Sequence, residues 1–157
     1  MSSAPPTDDT KLVIRRLCDA VPAELFRAWT EPEALARWFV PAPGMRHSEI
    51  RIDLRPGGAW SIAMATPGGE DHRVGGEYLE VSPPARLRFT WAWQSTPDRV
   101  SLVTVELRAK GAATELTLTH ERFFDRAARD RHGEGWAACL GQLDAALKAM
   151  TQREARQ

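Results

Sequence analysis

The chain has 157 residues, and its 21 lysines and arginines balance 21 aspartates and glutamates. The length predicts one domain with a sizeable core, and zero net charge excludes the basic field expected of a nucleic-acid-binding protein. Neither a bilayer-spanning apolar run nor a signal-peptide core is present, so we expect a cytoplasmic protein without a membrane span.

The N-terminal part of the chain predicts one strand followed by two short helices. Residues 1–10 are polar and are expected to form a disordered leader. The apolar pattern from Lys11 to Cys18 predicts the first strand. Helices are predicted at 22–29 and 32–38, because proline is well tolerated in the first turn of a helix. Thr30 is expected to cap the second helix.

Six further strands are predicted between residues 48 and 120, where apolar and polar residues alternate. Ser48, Ile50, Ile52 and Leu54 share one face of the first of these. The clearest pattern is Leu87, Phe89, Trp91 and Trp93 on one face of a later strand. Short turns rich in glycine and proline separate the segments, which favours an antiparallel sheet.

A long amphipathic helix is predicted near the C-terminus, from about 125 to 150. Its apolar residues recur at three- and four-residue steps and form one stripe: Trp136, Cys139, Leu140, Leu143, Leu147 and Met150. A break is expected near Gly133 and Gly135, and residues 151–157 are expected to be a frayed tail. Such a helix can cover the apolar face of the sheet, so the sequence predicts a single α+β domain over 11–150.

The sequence offers no recognisable catalytic, cofactor or metal motif. The nucleophile-elbow, phosphate-loop, zinc-protease and dinucleotide patterns are all missing. The spacing of Cys18 and Cys139 suits neither a metal site nor a disulfide, and we expect two buried thiols. We therefore predict no catalytic residue, no metal and no cofactor.

Aromatic residues on the inner face of the sheet are the main candidates for a binding site. Flat rings suit apolar ligands, and a curved sheet closed by one helix rarely fills the space between them. We therefore expect a cavity of roughly 300–1,000 Å³, with a solid core as the alternative. The candidate lining residues are Trp29, Trp38, Phe39, Trp60, Ile62, Met64, Tyr78, Phe89, Trp91, Trp93, His120, Trp136 and Leu140.

Two of these candidates are polar. Tyr78 and His120 could orient a ligand, although a lone strand histidine is more often a hydrogen-bonded structural residue. His47, His72 and His132 lie in segments that are expected to be exposed or turn-like, so we expect no functional role for them.

Several short motifs, in this order, resemble the activator of Hsp90 ATPase homologue-like family. The resemblance covers about residues 11–150, in six segments: 29–32, 53–58, 76–81, 86–91, 114–120 and 135–136. It implies the START-related (SRPBCC) helix-grip fold, in which a curved seven-stranded antiparallel sheet wraps around a long C-terminal helix, with two short helices after the first strand. Superfamily relatives bind lipids, sterols or polyketides, and the family has no universal catalytic motif.

We therefore predict a small hydrophobic-ligand-binding protein with an internal aromatic-lined cavity and a lipid-like or aromatic ligand. One alternative is a cyclase- or hydrolase-type enzyme that uses the same cavity, with Tyr78 or His120 as acid or base. Another is a stress or chaperone-interaction protein. Exposed strand edges would also allow a homodimer.

Overall fold

The computed structural model describes residues 9–155, and the side chains as far as residue 150. Over this range it contains seven strands and three helices, which confirms the predicted α+β class. In chain order they are β1 (Lys11–Cys18), α1 (Pro22–Thr30), α2 (Pro32–Trp38), β2 (Arg46–Ile52), β3 (Ala59–Ala65), β4 (Asp71–Ser82), β5 (Arg86–Trp93), β6 (Ser101–Lys110), β7 (Ala113–Glu121) and α3 (Arg126–Ala155).

The strands form one antiparallel sheet in the order β1-β7-β6-β5-β4-β3-β2. Strands β2 to β7 are each paired with the next in the chain, as the short turns predict. Strand β1 instead pairs with β7, because α1 and α2 carry the chain from one edge of the sheet to the other. Strands β1 and β2 are the two edges, and pairing of a second copy at either edge stays a prediction.

Helix α3 packs its apolar stripe against the inner face of the sheet. Trp136, Leu140 and Leu143 are each at most 3% exposed. The helix is continuous, so the predicted break near its glycines is wrong. A Cβ built on Gly133 would lie 3.7 Å from Leu12, and one on Gly135 would lie 3.5 Å from Pro41. Packing against these neighbours holds the backbone helical despite the low helix propensity of glycine.

The junction between the two short helices differs from the prediction. Thr30 is the last residue of α1 and its hydroxyl donates to the carbonyl of Phe26 at 2.7 Å, so it does not cap α2. Glu31 takes the cap position without a side-chain hydrogen bond. Leu54 also lies beyond the end of β2 and is 39% exposed, because β2 ends two residues earlier than expected.

The expected leader and tail fall largely outside the described residues. Residues 1–8 and 156–157 are not described. Asp9 forms an ion pair with Arg126 at 3.0 Å, and the backbone N–H of Phe123 donates to the carbonyl of Thr10 at 3.0 Å. The last two leader residues therefore pack against the start of α3.

Both cysteines are free and buried, as expected. Burial raises the pKa of Cys18 to about 11 and that of Cys139 to about 12, so both remain protonated thiols at neutral pH. Within residues 9–155 no helix is long and apolar enough to cross a membrane.

Candidate functional site

Aromatic rings from five elements meet between the sheet and α3. We call them the aromatic cluster: Trp29, Trp38, Phe39, Trp60, Tyr78, Phe89, Trp91, Trp93 and Trp136. Alternation along β3 and β5 turns Trp60, Phe89 and Trp91 to the same face of the sheet. The long helix brings Trp136 onto this face, and α1 and α2 supply the rings on its far side.

Trp91 lies at the centre of the cluster. Its ring centroid is 5.3 Å from Trp136, 5.5 Å from Trp60, 5.8 Å from Trp93 and 6.0 Å from Phe39. Tilted and edge-on pairs at these distances are favourable. The rings therefore pack against one another and occupy much of the space that the sequence left open for a ligand.

Two small spaces remain inside the cluster. The inner cavity has a volume of about 30 Å³, and the slot, which lies between β5 and the first turns of α3, has about 20 Å³. Each has room for one or two water molecules, whereas ligand sites usually measure roughly 300–1,000 Å³. The predicted cavity size is therefore wrong for this structure, because ring-on-ring packing was not visible in the strand pattern.

Most of the predicted lining residues do surround the inner cavity. These are Trp29, Phe39, Trp60, Ile62, Tyr78, Phe89, Trp91 and Trp136, joined by Leu35 and Ile52. Trp93 lines the slot instead. The remaining four candidates are buried in the core outside both linings: Trp38, Met64, His120 and Leu140. Ile52 was missing from the candidates although its inward position follows from the alternation of β2.

Two indole nitrogens in the wall of the inner cavity are buried without a partner. Neither Nε1 of Trp29 nor Nε1 of Trp91 has a hydrogen-bond partner within the described part of the chain. By contrast, Nε1 of Trp60 donates to the carbonyl of Thr90 at 3.2 Å. An unsatisfied buried donor costs about 1–3 kcal/mol, so the wall carries two donors that an acceptor in the cavity would stabilise.

Tyr78 and His120 occupy different environments. Tyr78 lines the inner cavity, and burial raises the pKa of its hydroxyl, which stays protonated at neutral pH. His120 is fully buried behind Trp136. The indole of Trp136 donates to Nδ1 of His120 at 3.0 Å, and Nε2 lies 2.7 Å from the hydroxyl of Ser101. Because both ring nitrogens are engaged, His120 positions its neighbours.

His132 is the residue that the sequence reasoning missed. It lies on α3, where its Nδ1 donates to the carbonyl of Ala128 at 2.7 Å and its Nε2 accepts from the indole of Trp93 at 2.9 Å. It lines the slot. Burial first, and the charge of Arg131 second, lower its pKa. A signal was present: in a continuous helix, His132 lies four residues before Trp136 and so on the same face.

A larger pocket opens at the surface on the other side of Trp93 and His132. This outer pocket has a volume of about 220 Å³. Arg99 and Arg131 supply positive charge to its wall, and Phe123 and Phe124 supply aromatic surface. The composition is mixed, unlike that of the apolar inner cavity. Within residues 9–150, no group of three or more His, Cys, Asp or Glu side chains could hold a metal ion.

A family model described as "Activator of Hsp90 ATPase homolog 1-like protein" matches residues 19–148. No curated protein matches the chain.

Solved structures agree with the fold. A crystal structure of a protein from Nitrosomonas europaea has 31% sequence identity and a TM-score of 0.78, with 93% of this chain and 99% of that chain covered. A protein from Rhodobacter sphaeroides has 27% identity and a TM-score of 0.80, with 92% and 97% covered. The AHSA1 protein of Silicibacter pomeroyi has 27% identity and a TM-score of 0.79, with 89% and 99% covered.

Proposed function

The chain belongs to the Activator of Hsp90 ATPase homolog 1-like family, and we propose that it binds a small, largely apolar molecule at its aromatic cluster. The helix-grip fold of this family typically binds hydrophobic ligands, and the buried rings are compatible with that role. Rings that are already positioned provide apolar contact at a low cost in side-chain entropy.

The observation that carries the proposal is the pair of unpartnered indole donors on Trp29 and Trp91. Both line the same inner cavity. A ligand with a carbonyl or ether oxygen among apolar groups would satisfy one or both donors, and a pure hydrocarbon would not. Hydrogen bonds made in a water-poor site are strong. We therefore expect the ligand to combine an apolar body with a hydrogen-bond acceptor.

Binding requires the interior to open, and Phe39 is the side chain whose movement would do most. Phe39 lies on the wall of both the inner cavity and the slot. It also lies just past the end of α2, at its C-cap, where the backbone is not held by helix or sheet pairing on both sides. Rotation of this ring would join the two spaces.

The test compares two ligands of similar shape, naphthalene and 2-acetonaphthone, by calorimetry. We expect the ketone to bind about tenfold more tightly, since one hydrogen bond contributes on the order of 1 kcal/mol. Trp91→Phe should remove most of that preference while the ring remains. Trp60→Phe is the matched control, because the Trp60 indole is already satisfied by Thr90. Failure of both ligands to bind, or equal binding of the two, would contradict the proposal.

The enzyme alternative gains no support from the site. Burial, with the nearby His132 as the second cause, lowers the pKa of His120 to about 2, and both of its nitrogens are engaged. The raised pKa of Tyr78 makes its hydroxyl a poor base. Chaperone interaction, which the family description suggests, is favoured by no specific contact among the described residues, and a pull-down with the chaperone tests it.

A further inference from the structure

The three spaces described above adjoin one another in series from the surface to the interior. The outer pocket and the slot share Trp93 and His132 as common wall residues. The slot and the inner cavity share Phe39, Trp91 and Trp136. A molecule that lay in the outer pocket would therefore be separated from the slot by the Trp93 and His132 rings, and from the inner cavity by one further layer.

The outer pocket has the chemistry of an anion site. The guanidinium carbon of Arg99 lies 3.9 Å above the ring of Phe124. Stacking of this kind fixes the plane of the guanidinium and leaves its N–H edge able to bind a carboxylate. Neither Arg99 nor Arg131 forms an ion pair with another residue of the described range 9–150. The hydroxyls of Ser95 and Thr96 lie on the same wall.

We propose that the outer pocket holds the carboxylate of an amphipathic ligand, an aromatic or aliphatic carboxylic acid, whose apolar part enters the slot between Trp93 and His132. This inference rests on the proposed function and names the class of its ligand. The acceptor expected by the indoles and the anion expected by the arginines are then two polar groups on one largely apolar molecule.

The side chains that separate the pocket from the slot are held by few contacts of their own. Trp93 is the last residue of β5 and is half-buried. Its indole is tied to His132 by the single hydrogen bond of 2.9 Å, and this bond joins the two walls. When Trp93 turns outward, this bond breaks and the outer pocket becomes continuous with the slot. His132 keeps its place, because Nδ1 stays bonded to Ala128 on the same helix.

The test measures binding of 2-naphthoate, its methyl ester and inorganic phosphate to the full chain by calorimetry at low salt. We expect the carboxylate to bind at least tenfold more tightly than the ester, and phosphate to bind much more weakly than either. The double variant Arg99→Gln/Arg131→Gln should lose that tenfold difference and leave binding of the ester unchanged.

Arg108→Gln is the control for general charge loss. Arg108 is exposed on β6, seven residues beyond Ser101 of the pocket wall, about 23 Å along the strand. This variant should leave the preference for the carboxylate intact, and added salt should reduce the preference only where both pocket arginines are present.

Three outcomes would overturn the inference. If carboxylate and ester bind equally, or the double variant binds 2-naphthoate as well as the parent protein, the arginines do not recognise the ligand while the proposed function stands on the ester. If phosphate competes with 2-naphthoate at equal concentration, the pocket is a general anion site. If neither the carboxylate nor the ester binds, the proposed function itself fails.

Discussion

The indole nitrogen of Trp136 donates a hydrogen bond of 3.0 Å to Nδ1 of His120. An indole N–H can only donate, so Nδ1 is unprotonated and the hydrogen of the neutral ring is on Nε2. Nε2 then donates to the hydroxyl of Ser101 at 2.7 Å, and this hydroxyl donates to the carbonyl of Trp91 at 3.2 Å. One chain of three hydrogen bonds thus connects α3, β7, β6 and β5 behind the aromatic cluster.

Replacement of His120 should destabilise the protein more than loss of its volume alone would. In His120→Ala the indole of Trp136 loses its acceptor and the hydroxyl of Ser101 loses its donor, and both are buried. With about 1–3 kcal/mol for each unsatisfied buried group, the free energy of unfolding should fall by about 3 kcal/mol. Urea unfolding measures the change. His72→Ala, at an exposed position, should stay within about 0.5 kcal/mol of the parent protein.

The buried histidines should also make stability depend on pH. The pKa of His120 is lowered to about 2 and that of His132 is lowered as well, so the unfolded chain binds more protons than the folded one below its ordinary value of about 6.5. Stability is therefore full above about pH 6.5 and is lost as the pH falls towards the folded values.

The expected slope reaches about 1.4 kcal/mol per pH unit for each histidine. Urea unfolding at about pH 7.5, 6 and 5 measures it above the range where most carboxyl groups titrate. In His120→Gln, whose amide can both accept and donate, the slope should fall by roughly half. A parent protein of equal stability at all three pH values would show that neither histidine is held neutral.

Trp91 shows why a binding test needs a conservative substitution. The strand pattern suggested that Trp91→Ala would weaken ligand binding and leave the fold intact. The structure places this ring against four other members of the aromatic cluster. Removal of a buried tryptophan costs about 3–5 kcal/mol, so thermal unfolding of Trp91→Ala should show a strong loss of stability. Trp91→Phe should retain a cooperative transition.

How much of this site the sequence could reveal depends on the range of the interaction. The faces of β5 and α3 follow from periods of two and 3.6 residues, so Trp91 and Trp136 were correctly placed inside. The volume between them depends on rotamers and ring contacts between distant segments, which no period encodes. His132 was missed for a related reason: its place on a continuous helix depends on how Gly133 and Gly135 meet Leu12 and Pro41.

Glycine substitutions separate open positions from crowded ones. A Cβ on Gly141 would meet no heavy atom within 4 Å, whereas one on Gly76 would lie 1.9 Å from the carbonyl oxygen of Thr90. Gly141→Ala should therefore raise the free energy of unfolding by up to about 1 kcal/mol through helix propensity. Gly76→Ala should lower it, because backbone atoms of β4 and β5 would have to separate. Chemical denaturation of the pair measures both, and a stabilised Gly76→Ala would contradict the close approach.

Removal of the Phe39 ring should convert the two interior spaces into one. Phe39 lines both, and its ring packs 6.0 Å from Trp91 and 5.8 Å from Trp136. Phe39→Ala should lower the free energy of unfolding by about 3–5 kcal/mol and leave an apolar cavity able to take a small aromatic molecule. The measurement is the rise in melting temperature on addition of benzene, which should exceed that of the parent protein because the ligand binds only the folded state.

Leu143→Ala is the control for this experiment. Leu143 is fully buried on the stripe of α3 but lines neither interior space, so its removal creates a cavity away from the aromatic cluster. A larger benzene shift in Phe39→Ala than in Leu143→Ala would show that volume gained at the cluster joins existing space. Equal shifts would mean that Phe39 is an ordinary core residue, and that a ligand must enter the cluster by displacing another ring.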